Sequence, residues 1–121
     1  TLNGRVLRLH GDPPSVATSL VTTGFSYLPE RRTYQAQVVS RVLPRVRDIR
    51  RFGAAALDLC WVAAGRTSAF YELGLQPWDL AAGVLIAQEA GAESAILGDG
   101  TVVVATPGLL APLCRLIAGG P

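Results

Sequence analysis

The chain reads as an α/β domain in which helices cover a sheet, and three observations lead to that class. Short β-branched runs alternate with alanine- or valine-rich stretches of helical period over most of the length. Half of the 121 residues are hydrophobic, enough for one buried core. No repeat, linker or low-complexity segment breaks the alternation, so residues 1–121 are expected to form a single unit.

Taken in order, Arg5 to Leu9 sets Val6, Leu7 and Leu9 among charges and predicts a strand, which Gly11, Asp12, Pro13 and Pro14 turn. Thr18 to Thr23 is β-branched enough for a second strand. Arg32 to Val46 carries Val38, Val39, Val42, Leu43 and Val46 at helical spacing, with Pro44 expected to bend or shorten its end. Asp48 to Phe52 is short and extended. Ala54 to Ala64 is an apolar helix stopped by Gly65, and Ser68 to Leu73 a strand. Asp79 to Ala90 predicts a helix buried nearly all round, with Gly91 as its stop. Glu93 to Leu97 and Thr101 to Ala105 are strands split by Gly98, Asp99 and Gly100; Leu109 to Ala118 is a last amphipathic helix that tolerates Pro112 in its first turn.

Composition narrows the function classes. The longest apolar stretch is far too short to span a bilayer, and no basic-then-apolar leader stands at Thr1, so a soluble cytoplasmic protein without membrane partners is expected. Cys60 and Cys114 sit in helical patterns without paired spacing and read as reduced, buried thiols. All eleven basic residues are arginine, yet net charge is only +2. Arg45, Arg47, Arg50 and Arg51 cluster without interleaved aromatics, which suits a solvated rim or ion-pairing strand end better than a nucleic-acid patch, and no nucleic-acid partner is expected. His10, beside Gly11 and Asp12, reads as a solvated loop histidine.

Chemistry concentrates where strands run into helices, because free backbone amides and helix N-termini meet there. Two segments have that form. One passes through Gly53 into the Ala54 helix; the other carries Glu72, turns at Gly74 and enters a helix through Pro77, Trp78 and Asp79. From spacing alone Asp79 is first a cap, a first-turn acid facing the positive end of the helix dipole and contributing about 0.3–1 kcal/mol. Glu72 and Asp79 could nevertheless project into one crevice. Asp58, amid AAALDLC, reads as satisfying buried polar groups; Trp78 is expected to pack and hold Asp79, Trp61 to lie in the core, and Glu89 to be structural.

The stretch from Gly53 to Ala92 resembles the C-terminal half of the inositol monophosphatase family. Its second signature, an aromatic-Asp pair, small residues and a helix ending Glu-Ala-Gly-Gly, is met by Trp78, Asp79, Leu80, Ala81, Ala82 and Gly83, then Glu89, Ala90 and Gly91, with Ala92 in place of the second glycine. Leu20 to Tyr27 and Leu2 to Leu9 extend the similarity over essentially the whole chain. The resemblance implies a layered αβα subdomain with a mixed sheet, half of an αβαβα sandwich. It also implies a Mg²⁺-dependent phosphomonoesterase acting on inositol monophosphate or a similar polyol or sugar phosphate through a metal-activated water. Asp79 matches a metal ligand, and magnesium takes hard, ionised oxygens. Glu72 matches an acid that hydrogen-bonds a polyol hydroxyl; Gly53, Ala54 and Ala55 match the turn lining the substrate pocket; Ser26 matches a substrate-touching position. Family members are often homodimers.

The family's first signature, an Asp-Pro-x-Asp-Gly-Thr-type loop, and an earlier acidic pair occur nowhere in the chain. One aspartate cannot hold a two-metal array. The chain is therefore expected to be the C-terminal subdomain of a larger enzyme, inactive alone, with the N-terminal half of the same protein as partner. A histidinol-phosphate or fructose-bisphosphate phosphatase of the same family, and a noncatalytic module that lost the metal site, are the rival expectations.

Overall fold

A computed structural model describes residues 3–6, 8–9 and 14–119. The sheet has five strands: β1 (Leu20–Thr23), β2 (Asp48–Arg50), β3 (Ala69–Glu72), β4 (Glu93–Ile96) and β5 (Val102–Ala105), in the order β2-β1-β3-β5-β4. β1 runs parallel to β2 and β3, whereas β5 is antiparallel to both β3 and β4. The sheet is therefore mixed, as expected. Helices α1 (Pro29–Val42) and α4 (Leu110–Ala118) cover one face, α2 (Ala55–Ala63) and α3 (Pro77–Glu89) the other.

The sequence of β5 explains its interior place between β3 and β4. Val103 and Ala105 pack with Val38, Val42, Leu113 and Ile117 on the α1/α4 side, while Val102 and Val104 join Leu59, Val62, Phe70 and Ala87 on the α2/α3 side. A strand sandwiched between helical layers needs a continuous apolar run rather than alternation, and Val102 to Ala105 supplies it. The result is two cores separated by one sheet.

Several boundaries differ from the sequence expectation. α1 begins at Pro29, because proline at the first helical position loses no hydrogen bond, and it ends at Val42, two residues before Pro44. Val16–Thr18 forms a 3₁₀ turn capped by Ser15, so β1 starts only at Leu20. The expected strand at Arg5 to Leu9 falls partly outside the described residues; there Arg5 makes an isolated bridge and the Leu9 N–H donates to the Ala90 carbonyl. His10 lies outside the described residues altogether. α3 is not buried all round: Gly83 and Ala87 are its buried residues, and Leu85 and Ile86 are exposed. Both cysteines are free and half-buried. Among the described residues no helix is long and apolar enough to cross a membrane.

Candidate active site

The topology makes a crevice before any side chain is considered. β1 and β3 are parallel neighbours, yet the chain leaves β1 for α1 on one face and β3 for α3 on the other. Their C-terminal ends consequently splay apart, the position at which open α/β sheets hold ligands. A cleft of about 230 Å³ opens there, lined by Gly24 and Phe25 beyond β1, Arg51 and Gly53 beyond β2, Glu72 at the end of β3, and Asp79 in the first turn of α3, with Tyr27, Ala55 and Leu75 at its margins. Gly53, Ala55, Glu72 and Asp79 are thus brought together. Ala54 is the N-cap of α2, and its side chain makes no capping bond. Ser26 is turned to the loop, its N–H donating to Gln35 Oε1 at 3.0 Å and its Oγ accepting from the Leu28 N–H at 3.1 Å.

Asp79 divides its two oxygens. Oδ2 accepts a hydrogen bond from the Gln76 N–H at 3.0 Å, which fixes the entry into α3. Oδ1 has no hydrogen bond among the described residues and remains available to a ligand. Trp78 does not pack to hold this carboxylate: it is 78% exposed, and the backbone cap does the holding. Trp61 is half-buried rather than core, its ring edge-on to Phe52 with centroids 4.6 Å apart.

Glu72 sits in a different electrostatic setting. Burial pushes its carboxyl up to about 7, helped by the nearby negative charges of Asp58 and Asp79 and opposed by Arg51. Asp58, on the buried side of the first turns of α2, is raised to about 6, again chiefly by loss of water, with Arg51 opposing. It is 1% exposed, and its Oδ1 has no hydrogen-bond partner. Reading Asp58 as a satisfied structural residue therefore fails: neither of its carboxyl oxygens makes a hydrogen bond among the described residues. The signal for it was present as an acid one turn into an otherwise apolar helix. Gly24 and Phe25 were missed as lining residues, although their place immediately after a strand marked them.

The turn at Gly53 has φ +79°, a backbone conformation that glycine adopts without strain, and it aims the start of α2 at the cleft. With no side-chain cap, the first amides of α2 are free of side-chain acceptors. Arg51 lines the opening, and two further guanidinium groups lie beside Phe25 and Gly74. Arg32 and Arg51 lie 5.7 and 5.9 Å from the centroid of the Phe25 ring, and Arg31 crosses Gly74, where a Cβ would come within 2.6 Å of Nη1. None of the three forms an ion pair among the described residues, whereas Arg50 is paired with Asp48. The cleft offers hard oxygen donors of the kind magnesium takes, and Asp79 Oδ1 suits one coordination position. Among the described residues no group of three His, Cys, Asp or Glu side chains could hold a metal ion by itself.

The sequence matches the inositol monophosphatase family over residues 1–119. The chain belongs to the inositol monophosphatase family. It is 51% identical over 110 residues to the inositol-1-monophosphatase SuhB of Mycobacterium tuberculosis, covering 86% of this chain and 38% of that protein. A putative Nus factor SuhB of Neisseria meningitidis is 40% identical over 107 residues, covering 82% and 41%. The solved structure of Mycobacterium tuberculosis SuhB superimposes with a TM-score of 0.85 at 47% identity, over 95% of this chain and 46% of that one. The chain thus spans less than half the length of these relatives, and its layered αβα architecture is that of the C-terminal portion of such enzymes.

Proposed function

We propose that this chain is the polyol-orienting C-terminal part of a cytoplasmic Mg²⁺-dependent phosphatase that hydrolyses inositol monophosphate or a similar polyol or sugar phosphate. The observation that carries this reading is the convergence of the Glu72 carboxyl, the free oxygen of Asp79 and the start of α2 on one cleft at the ends of three parallel strands. When bound, magnesium neutralises phosphate charge and makes water a better nucleophile. Asp79 supplies one hard ligand oxygen while its other oxygen keeps α3 in register. Glu72, when ionised, accepts a hydrogen bond from a substrate hydroxyl; the amides after Gly53 hold a second oxygen of the alcohol. These contacts orient the leaving alcohol in line with the attacking side of the phosphorus.

The remaining carboxylates of such a site belong to the N-terminal half, so the chain alone is expected to be inactive. Support comes from α2 and α3, whose outer faces expose Leu57, Trp78, Leu85 and Ile86, an apolar surface suited to an absent layer. The unpaired Arg31, Arg32 and Arg51 favour a second reading within the family, a substrate with a second anionic group on its alcohol portion, such as fructose bisphosphate.

The test is Asp79→Asn in the full-length protein. Asparagine retains an oxygen for the Gln76 N–H and loses only the charge facing the helix dipole, so stability should fall by no more than about 1 kcal/mol. Turnover should fall by orders of magnitude and half-saturation by Mg²⁺ should move to higher concentration. Unchanged magnesium-dependent hydrolysis would leave Asp79 a cap and nothing more.

A further inference from the structure

We infer that Gly24 fixes the position of the Glu72 carboxylate and so determines the preference for hydroxyl-bearing phosphate esters, an inference that rests on the reading of Glu72 as the group facing the substrate alcohol. Gly24 follows β1 directly and is buried. β1 and β3 run parallel with Thr23 opposite Tyr71, so the next residue on each strand, Gly24 and Glu72, are side by side. Among the described residues eight glycines have positive φ, and Gly24 is not one of them. Its backbone is one that any residue adopts; conformation does not explain a glycine here.

Space does. A Cβ at position 24 would overlap Glu72 Oε1 and lie 2.7 Å from Cδ and 3.1 Å from Oε2. The carboxyl group therefore rests on the bare Cα of Gly24. Among the described residues the Glu72 side chain makes no hydrogen bond, so contact with this floor, and not a donor, locates its oxygens within the cleft. Because the obstructed atoms are the end of a flexible side chain, a methyl group at position 24 displaces the carboxylate without forcing the strands apart. Fold and specificity are thereby separable.

The experiment uses the full-length protein with inositol 1-phosphate and p-nitrophenyl phosphate, an aryl ester with no hydroxyl, in Mg²⁺. In Gly24→Ala the ratio of kcat/KM for the polyol ester to that for the aryl ester should fall about tenfold or more, the loss expected when a charged hydrogen bond to substrate is mispositioned, and chiefly through KM. In a Glu72→Ala background the same substitution should change the ratio no further. Equal losses on both esters, additive losses in the double variant, or an unchanged ratio would each overturn the role of Gly24. Should Gly24→Ala fail to fold, Gly24→Ala/Glu72→Ala must fold, since the overlap is gone; a double variant that also fails refutes the accommodation of Glu72. Wild-type protein that cleaves neither ester in Mg²⁺ overturns the phosphatase reading and this inference with it. Glu72→Ala that retains the full wild-type ratio overturns the role of Glu72 while leaving the phosphatase reading standing.

Discussion

The carboxyl of Asp58 is held against the apolar interior of α2 and the sheet, where desolvation raises it from an ordinary 3.8 to about 6. An acid whose folded value is raised binds more protons folded than unfolded across that interval, so its contribution to stability is fully present below about 3.8 and is lost as pH rises through about 6. Asp58→Asn keeps the shape and removes the charge. It should stabilise the chain at pH 8 by on the order of 2 kcal/mol relative to wild type, with the difference vanishing near pH 4, as read by denaturant unfolding at both pH values. A constant difference would show that burial of the charge is not the cause. At this scale the sequence was legible where a motif pointed to Asp79 and Glu72, which the fold brings to one cleft. It was silent where the environment arises from another element: helix spacing places Asp58 on a face but says nothing of Glu72 beyond that face.

Between elements, Gly83 of α3 sits directly against Leu59 of α2. A Cβ there would lie 2.7 Å from Leu59 Cδ1 and 2.9 Å from Leu59 Cβ, and Leu59 is fully buried with no room to yield. Gly83→Ala improves helix propensity by about 1 kcal/mol but overpacks this contact at a cost of about 1–3 kcal/mol. The expected net is a loss of about 1 kcal/mol, measurable as a lower denaturation midpoint at unchanged slope. Stabilisation would mean that α2 and α3 can separate freely. The alternation of strands and helices was readable because each run kept its own period. The burial of α3 was not, since Leu80, Val84, Leu85 and Ile86 make it apolar on both sides. Such a helix suits two neighbouring layers, and the described structure supplies only one.

At the scale of the whole molecule, the order β2-β1-β3 and the departure of α1 and α3 to opposite faces create the crevice in which Glu72 and Asp79 meet. Sequence alone showed that acids were missing, because two signatures can be checked letter by letter. It could not show the exposed outer faces of α2 and α3. If these faces seat the N-terminal half, Leu85→Asn should cost about 2 kcal/mol or more in the full-length protein and no more than about 0.5 kcal/mol in this chain alone. Equal effects in the two would place the absent half elsewhere. The central claim is that Asp79 shares a divalent cation with carboxylates from that half. Crystals of the full-length protein soaked in Mn²⁺ address it most directly: the account predicts an anomalous peak about 2.1 Å from Asp79 Oδ1 that is also coordinated by the N-terminal half, and manganese bound with Asp79 turned away would contradict it.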